Sequence, residues 1–229
     1  MPDSSYQELK PLQITCTSTD CENGLHCFKQ KQRRRKEELT IVGDWMKELG
    51  PGNSERGANL NGRCRACGAE LIDWSRVHQR DLSDVNYTFE ALKKELVRHY
   101  YWHLEIDTLA KNHALRKGSL ALPAYIEKRL RSSVGPAQPY RDGMQTPKSG
   151  NIVDYAQHAT ASCCRACIEE WHSIPRGRAL TDAEINYLSA LAVLYVNDRL
   201  PELKTEGQKI THRRSAARKE QQLSCFIDP

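Results

Sequence analysis

Two cysteine pairs constrain this chain more than any other feature in it. Cys64-Arg65-Ala66-Cys67-Gly68 and Cys163-Cys164-Arg165-Ala166-Cys167 each present two thiolates within reach of one tetrahedral ion. Read as halves of one Zn2+ site, with Cys64, Cys67, Cys164 and Cys167 as ligands, they pin together segments far apart in the sequence. Cys164 is preferred to Cys163 because it restores the CxxC spacing. Gly68 lets the chain turn tightly beneath a metal, and Arg165 to His172 reads as a helix whose first amides favour thiolates. Buried unliganded thiols and CxxC redox chemistry are the alternatives, the latter wanting a βαβ context that is not found. No apolar signal segment follows Met1 and the nine cysteines are an odd number. Both points argue against disulfides and for a reducing, cytoplasmic setting.

The Cys64 and Cys164 pairs together resemble the treble-clef and zinc-ribbon class of metal-binding modules, a likeness that implies a scaffold and no particular activity. A second ligand group lies at Cys16, Cys21, His26 and Cys27, which could close a zinc site of its own or recruit His78 or His158.

Length and charge bound the remainder. A chain of 229 residues with 39% hydrophobic content can bury a core. No run approaches the ~18 apolar residues of a membrane span. The net charge of +5 is unevenly spread: Lys29, Lys31, Arg33, Arg34, Arg35 and Lys36 follow an acidic N-terminal stretch. Such asymmetry points to a polyanion, or else to a solvated helix face. Further cations at Arg63, Arg65 and Arg165 beside the cysteines, and at Lys93, Lys94, Arg98, Lys111, Arg116 and Lys117, favour phosphate contacts.

The pattern is mainly α. A Cys-containing arm and basic helix occupy residues 1–50, a zinc-bound helical core residues 51–203, and a basic, mobile tail residues 204–229. Residues 70–74 read as a short strand. No Pro or Gly interrupts residues 84–117, which predicts one long central helix of ~30 residues. Further helices are expected from Pro123 to Val134, around Ile152 to His158, and from Thr181 to Arg199, where Thr181 and Glu184 have capping-box spacing. Residues 135–151 should form an extended loop.

On the long helix, Glu95, His99, His103 and Asp107 recur at four-residue steps, drifting only ~40° per step. The row reads either as packed histidines or as a second metal or phosphate site. The paired CxxC plan also resembles HNH-type nucleases, although the Asp-His pair of that family has no match at His78-Gln79-Arg80-Asp81. The leading expectation is a zinc-stabilised protein that contacts DNA or RNA through Lys29 to Lys36, Arg65 and Arg165, with Trp74, Tyr101 and Trp102 free to stack on bases. A metal-dependent nuclease or hydrolase using His99, His103, Asp107 and His158 is the second, and an interaction subunit of a larger complex the third.

Overall fold

The computed structural model describes Ile14 and residues 62–64 and 68–210, so the calls on Cys16, Cys21, His26, Cys27, Lys29 to Lys36, Arg65 and Cys67 lie outside the described residues. Among the described residues the fold is helical. It comprises α1 (Trp74–Val77), a 3-10 turn (Leu82–Asp84), α2 (Val85–Leu92), α3 (Leu96–His103), α4 (Thr108–Ser133), α5 (Ile152–Ala159), α6 (Arg165–His172) and α7 (Asp182–Arg199). No strand is formed there: the stretch expected as one contributes only an isolated bridge between Arg63 and Glu70.

Helix α7 is the hub, as its apolar spacing requires. Thr181 Oγ1 accepts from the Glu184 amide at 3.2 Å and the Glu184 carboxylate accepts from the Thr181 amide at 2.8 Å. Ile185, Leu188, Leu191, Ala192 and Tyr195 are buried against α4, α5 and α2. Each such large side chain contributes about 1.5–3 kcal/mol on leaving water.

The expected long helix is three helices. Helix α2 ends at Leu92, Lys93 is its C-cap, and Glu95 is extended (φ −81°, ψ 134°). Leu104 is extended again, and Asp107 restarts the chain by accepting the Ala110 amide at 2.9 Å as N-cap of α4. An unbroken run without Pro or Gly could not reveal this, because a capping Asp within the run is itself a start signal. Helix α4 then absorbs the segment expected to begin at Pro123, with a kink at Gly118 (φ 69°, ψ 166°).

That kink receives the chain beyond α7. Ser119 and Leu120 amides donate to the Lys204 and Thr205 carbonyls at 2.9 and 3.1 Å, and the Gln208 amide donates to Leu115 at 2.8 Å. A Cβ on Gly118 would stand 2.5 Å from the Thr205 oxygen, so only glycine admits this approach. Residues 204–208 are therefore docked, contrary to the expectation of a mobile tail from residue 204.

Candidate metal centre

Cys163, Cys164 and Cys167 come together where α5 turns into α6. The turn is tight: Thr160 Oγ1 donates to the Ala156 carbonyl at 2.8 Å, Ala161 adopts φ 53°, and the Ser162 amide reaches the Gln157 carbonyl at 2.8 Å. Left-handed backbone at a non-glycine residue is costly, and here packing on both sides holds it. Gln157, fully buried, steadies the turn by donating from Nε2 to the Ser162 carbonyl at 3.0 Å and to Ser133 Oγ at 3.3 Å. Cys164 is the N-cap of α6, its sulfur accepting the Cys167 amide at 3.4 Å.

The three sulfurs all lie within 4.8 Å of one another, and Cys163 Sγ is 3.6 Å from Cys167 Sγ. Zinc–thiolate bonds of about 2.3 Å in a tetrahedron put neighbouring sulfurs about 3.8 Å apart, so this spacing fits a single ion of that size. Among the described residues no other group of three or more His, Cys, Asp or Glu converges in this way. The structure thus adds Cys163 to the expected ligands, since a residue just before an N-cap can fold over the helix end as readily as one inside it. Cys64 is buried in a different place, packed with Ala69 and Leu71, and is not a member of the trio.

The electrostatics single out Cys167. Hydrogen bonds from the Cys163 and Cys164 thiols, aided by the Arg98 guanidinium, hold its pKa well below the ordinary thiol value. Hydrogen bonding to Cys164 and Cys167, together with burial, pushes the Cys163 thiol up. The S–H received from Cys163 lowers Cys164, but its own donation to Cys167 and its burial outweigh this and push it up to about 11. Burial, then the Cys167 and Glu95 charges, raises Glu170 to about 8.

Arg98 organises the floor of the site, a residue expected on a phosphate-binding surface and found 4% exposed. Its Nη2 donates to Cys167 Sγ at 3.3 Å and its Nη1 lies 3.9 Å from Cys163 Sγ and 2.5 Å from the His158 carbonyl oxygen. Its Nε donates to Glu95 Oε2 at 2.9 Å, and Trp171 Nε1 donates to the same oxygen at 2.7 Å. A buried cation beside three thiols offsets the negative charge that a thiolate-bound divalent ion would leave. The i, i+3 spacing of Glu95 and Arg98 was the sequence signal for this pair. The loop between α4 and α5 is tied to the site: Thr146 Oγ1 donates to the Cys163 carbonyl at 2.8 Å, and the Arg165 amide donates to Asp142 Oδ1 at 3.2 Å.

Arg165 itself is a correction. It is fully buried, with Nη1 donating to the Val134 carbonyl at 3.2 Å and Nη2 to the Pro175 carbonyl at 2.7 Å. Its charge caps the C-terminal end of α4 and does not face a nucleic acid. The aromatic residues expected to stack on bases are also committed. Tyr101 stacks on His158 with ring centres 4.4 Å apart, Trp102 Nε1 donates to Asp198 Oδ2 at 2.7 Å, and Trp74 packs on Trp171 at 5.1 Å.

Among the described residues the histidine row does not gather three or more ligands at one point. His99 and His103 are neighbours, rings 4.1 Å apart, but their Nδ1 atoms face the Lys93 and His99 carbonyls at 3.3 and 2.8 Å. His113 is on α4 beside Tyr125. Asp107 accepts from the Gly150 amide at 2.7 Å and the Tyr155 hydroxyl at 2.9 Å as well as capping α4. His158 is pushed down to about 4 by burial and by Arg98, and its Nε2 donates to the Pro147 carbonyl at 3.1 Å.

Residues 86–197 match the family described as "Domain of unknown function (DUF4186)". No solved structure matches the chain. The matched segment contains the thiol trio, Glu95, Arg98 and Trp171, and excludes Cys64 and everything before it. No described helix is long and apolar enough to cross a membrane.

Proposed function

We propose that this is a zinc protein in which Cys163, Cys164 and Cys167 bind one Zn2+ and thereby lock the α5–α6 turn, the loop over it and Arg98 into one rigid body. The observation that carries this reading is the convergence of three sulfurs within 4.8 Å of one another, with the Cys163–Cys167 pair at 3.6 Å, close to the edge length of a zinc–thiolate tetrahedron. Zinc supplies a fixed cation that makes all three sulfurs thiolates, and Arg98 supports the resulting charge. The Cys64 turn supports a ribbon-like knuckle separate from the trio: Gly68 donates to the Cys64 carbonyl at 2.8 Å, and the Cys64 amide donates to Ala69 at 2.8 Å. Metal content of the purified chain tests both statements. Cys167→Ser should lose the trio's zinc, and Cys64→Ser should keep it; retention in the first variant would end the proposal.

The second reading is contact with nucleic acid through the run Lys29 to Lys36, supported by the six cations that stand in those eight positions. The fold ties several cations to carboxylates, including Arg76 to Asp84, Arg131 to Asp182, Arg176 to Glu169 and Arg178 to Glu184. Binding of DNA and RNA oligonucleotides should then weaken steeply with salt and vanish when the run is replaced by alanine. Binding unchanged by that replacement would remove this role.

A further inference from the structure

The three sulfurs are not equivalent, and their differences go beyond metal binding. Cys163 and Cys164 are each 8% exposed, whereas Cys167 is only partly buried. Cys167 is thus the most exposed residue of the three. The Cys163 sulfur lies 3.6 Å from it, and one guanidinium spans the pair, with Arg98 Nη2 at 3.3 Å from Cys167 and Nη1 at 3.9 Å from Cys163. Cys164 is held differently, its sulfur taken up as the cap on the Cys167 amide.

We infer that Cys163 and Cys167 are a peroxide-sensitive dithiol whose oxidation opens the metal site, an inference that rests on the zinc reading for its consequence and on the sulfur geometry for its chemistry. Hydrogen peroxide is the oxidant. The Cys167 sulfur attacks one peroxide oxygen, the O–O bond breaks, and a sulfenic acid forms while the departing hydroxide takes a proton to become water. The Cys163 sulfur then attacks Cys167 Sγ, the S–O bond breaks, and a second water leaves with the proton supplied by solvent. In sum, two thiolates, one peroxide and two protons give one disulfide and two waters. Two of the three sulfurs no longer bear charge, so the ion leaves. The CxxC pair Cys164 and Cys167 is not the couple, because closing it would remove the cap of α6.

The experiment treats the full chain with hydrogen peroxide after its zinc content is measured. Released zinc is followed with a chromogenic chelator, and cysteine linkages are mapped by mass spectrometry after blocking free thiols. The expected result is loss of the trio's zinc in step with a Cys163–Cys167 crosslink, and recovery of zinc binding after a dithiol reductant. A Cys164–Cys167 crosslink, sulfinic acid at Cys167 without any crosslink, or a trio that stays reduced would overturn the inference. If the untreated chain holds no zinc, the metal reading fails, and the crosslink map on that same sample still decides whether this pair is the dithiol.

Discussion

The thiol trio and the histidine row are both built from metal-ligating side chains at close helical spacing, yet only one of them converges. In the trio, the ligands straddle a helix start, where an N-cap and the two turns around it aim side chains at one point. In the row, His99 and His103 share α3 while Asp107 begins α4, so the expected helix is cut between them. Periodicity places ligands on one face only while the helix continues. A capping residue inside the run changes the direction of everything after it.

Substitution should reproduce that contrast, with the largest effect at the trio. Cys167→Ser is expected to abolish zinc binding at the trio and to forfeit metal-linked stability on the order of 10 kcal/mol, whereas the His99→Ala/His103→Ala chain keeps its zinc. Metal analysis with thermal melts of the two variants reads both halves.

Next in size is Arg98→Met. It leaves Glu95 buried with Trp171 as its remaining partner in this network and exposes the sulfurs to uncompensated charge. The expected loss is about 3–5 kcal/mol in denaturant unfolding. A variant as stable as the parent would mean that the guanidinium is not what supports the site.

Acid should act through His172, the last residue of the trio's helix, whose ring faces Tyr187 of α7. Burial pushes it down to about 4, and its neutral ring suits both neighbours, donating from Nε2 to the Thr160 carbonyl at 3.1 Å and facing the Tyr187 hydroxyl at 3.4 Å. The unfolded chain binds the proton more readily than the folded one between about pH 6.5 and pH 4. The stabilisation is therefore complete above about pH 6.5 and is lost as pH falls to about 4, amounting to about 3 kcal/mol. Burial depresses His158 to about 4 as well, so the two act in the same window. His172→Gln should flatten the fall of stability across it; an unchanged slope would show that His172 does not titrate there.

The smallest expected change is His103→Ala alone. That side chain is exposed and bonds only within its own helix turn, so a change within about 0.5 kcal/mol is expected. A loss several times larger would mean that the row does more than pack.

Much of the fold was legible in the sequence. Thr181 and Glu184 form the capping box that their spacing implies, and Arg165 to His172 is a helix with its cysteines at the start. The site was legible in part: the second cysteine cluster was identifiable, but the choice of Cys164 over Cys163 assumed that CxxC decides, whereas the turn at Ala161 brings both in. Arg98 and Arg165 were read as surface charges because sequence shows charge and not burial. The i, i+3 spacing of Glu95 and Arg98 signals their pair but not its burial, whereas the carbonyls of Val134 and Pro175 that hold Arg165 come from other segments, which only the packed chain brings close. The tail at residues 204–208 was read as free because its docking depends on backbone carbonyls meeting the break at Gly118, and no side-chain pattern records that.

The most direct test is X-ray absorption at the zinc edge, on a chain carrying Cys16→Ser, Cys21→Ser, Cys27→Ser, Cys64→Ser and Cys67→Ser so that the trio is observed apart from the other cysteine groups. The account predicts bound zinc with a sulfur shell at about 2.3 Å, and loss of that zinc when Cys167→Ser is added. Zinc surrounded only by nitrogen and oxygen at about 2.0–2.1 Å, or a sulfur shell that survives the added substitution, would contradict it.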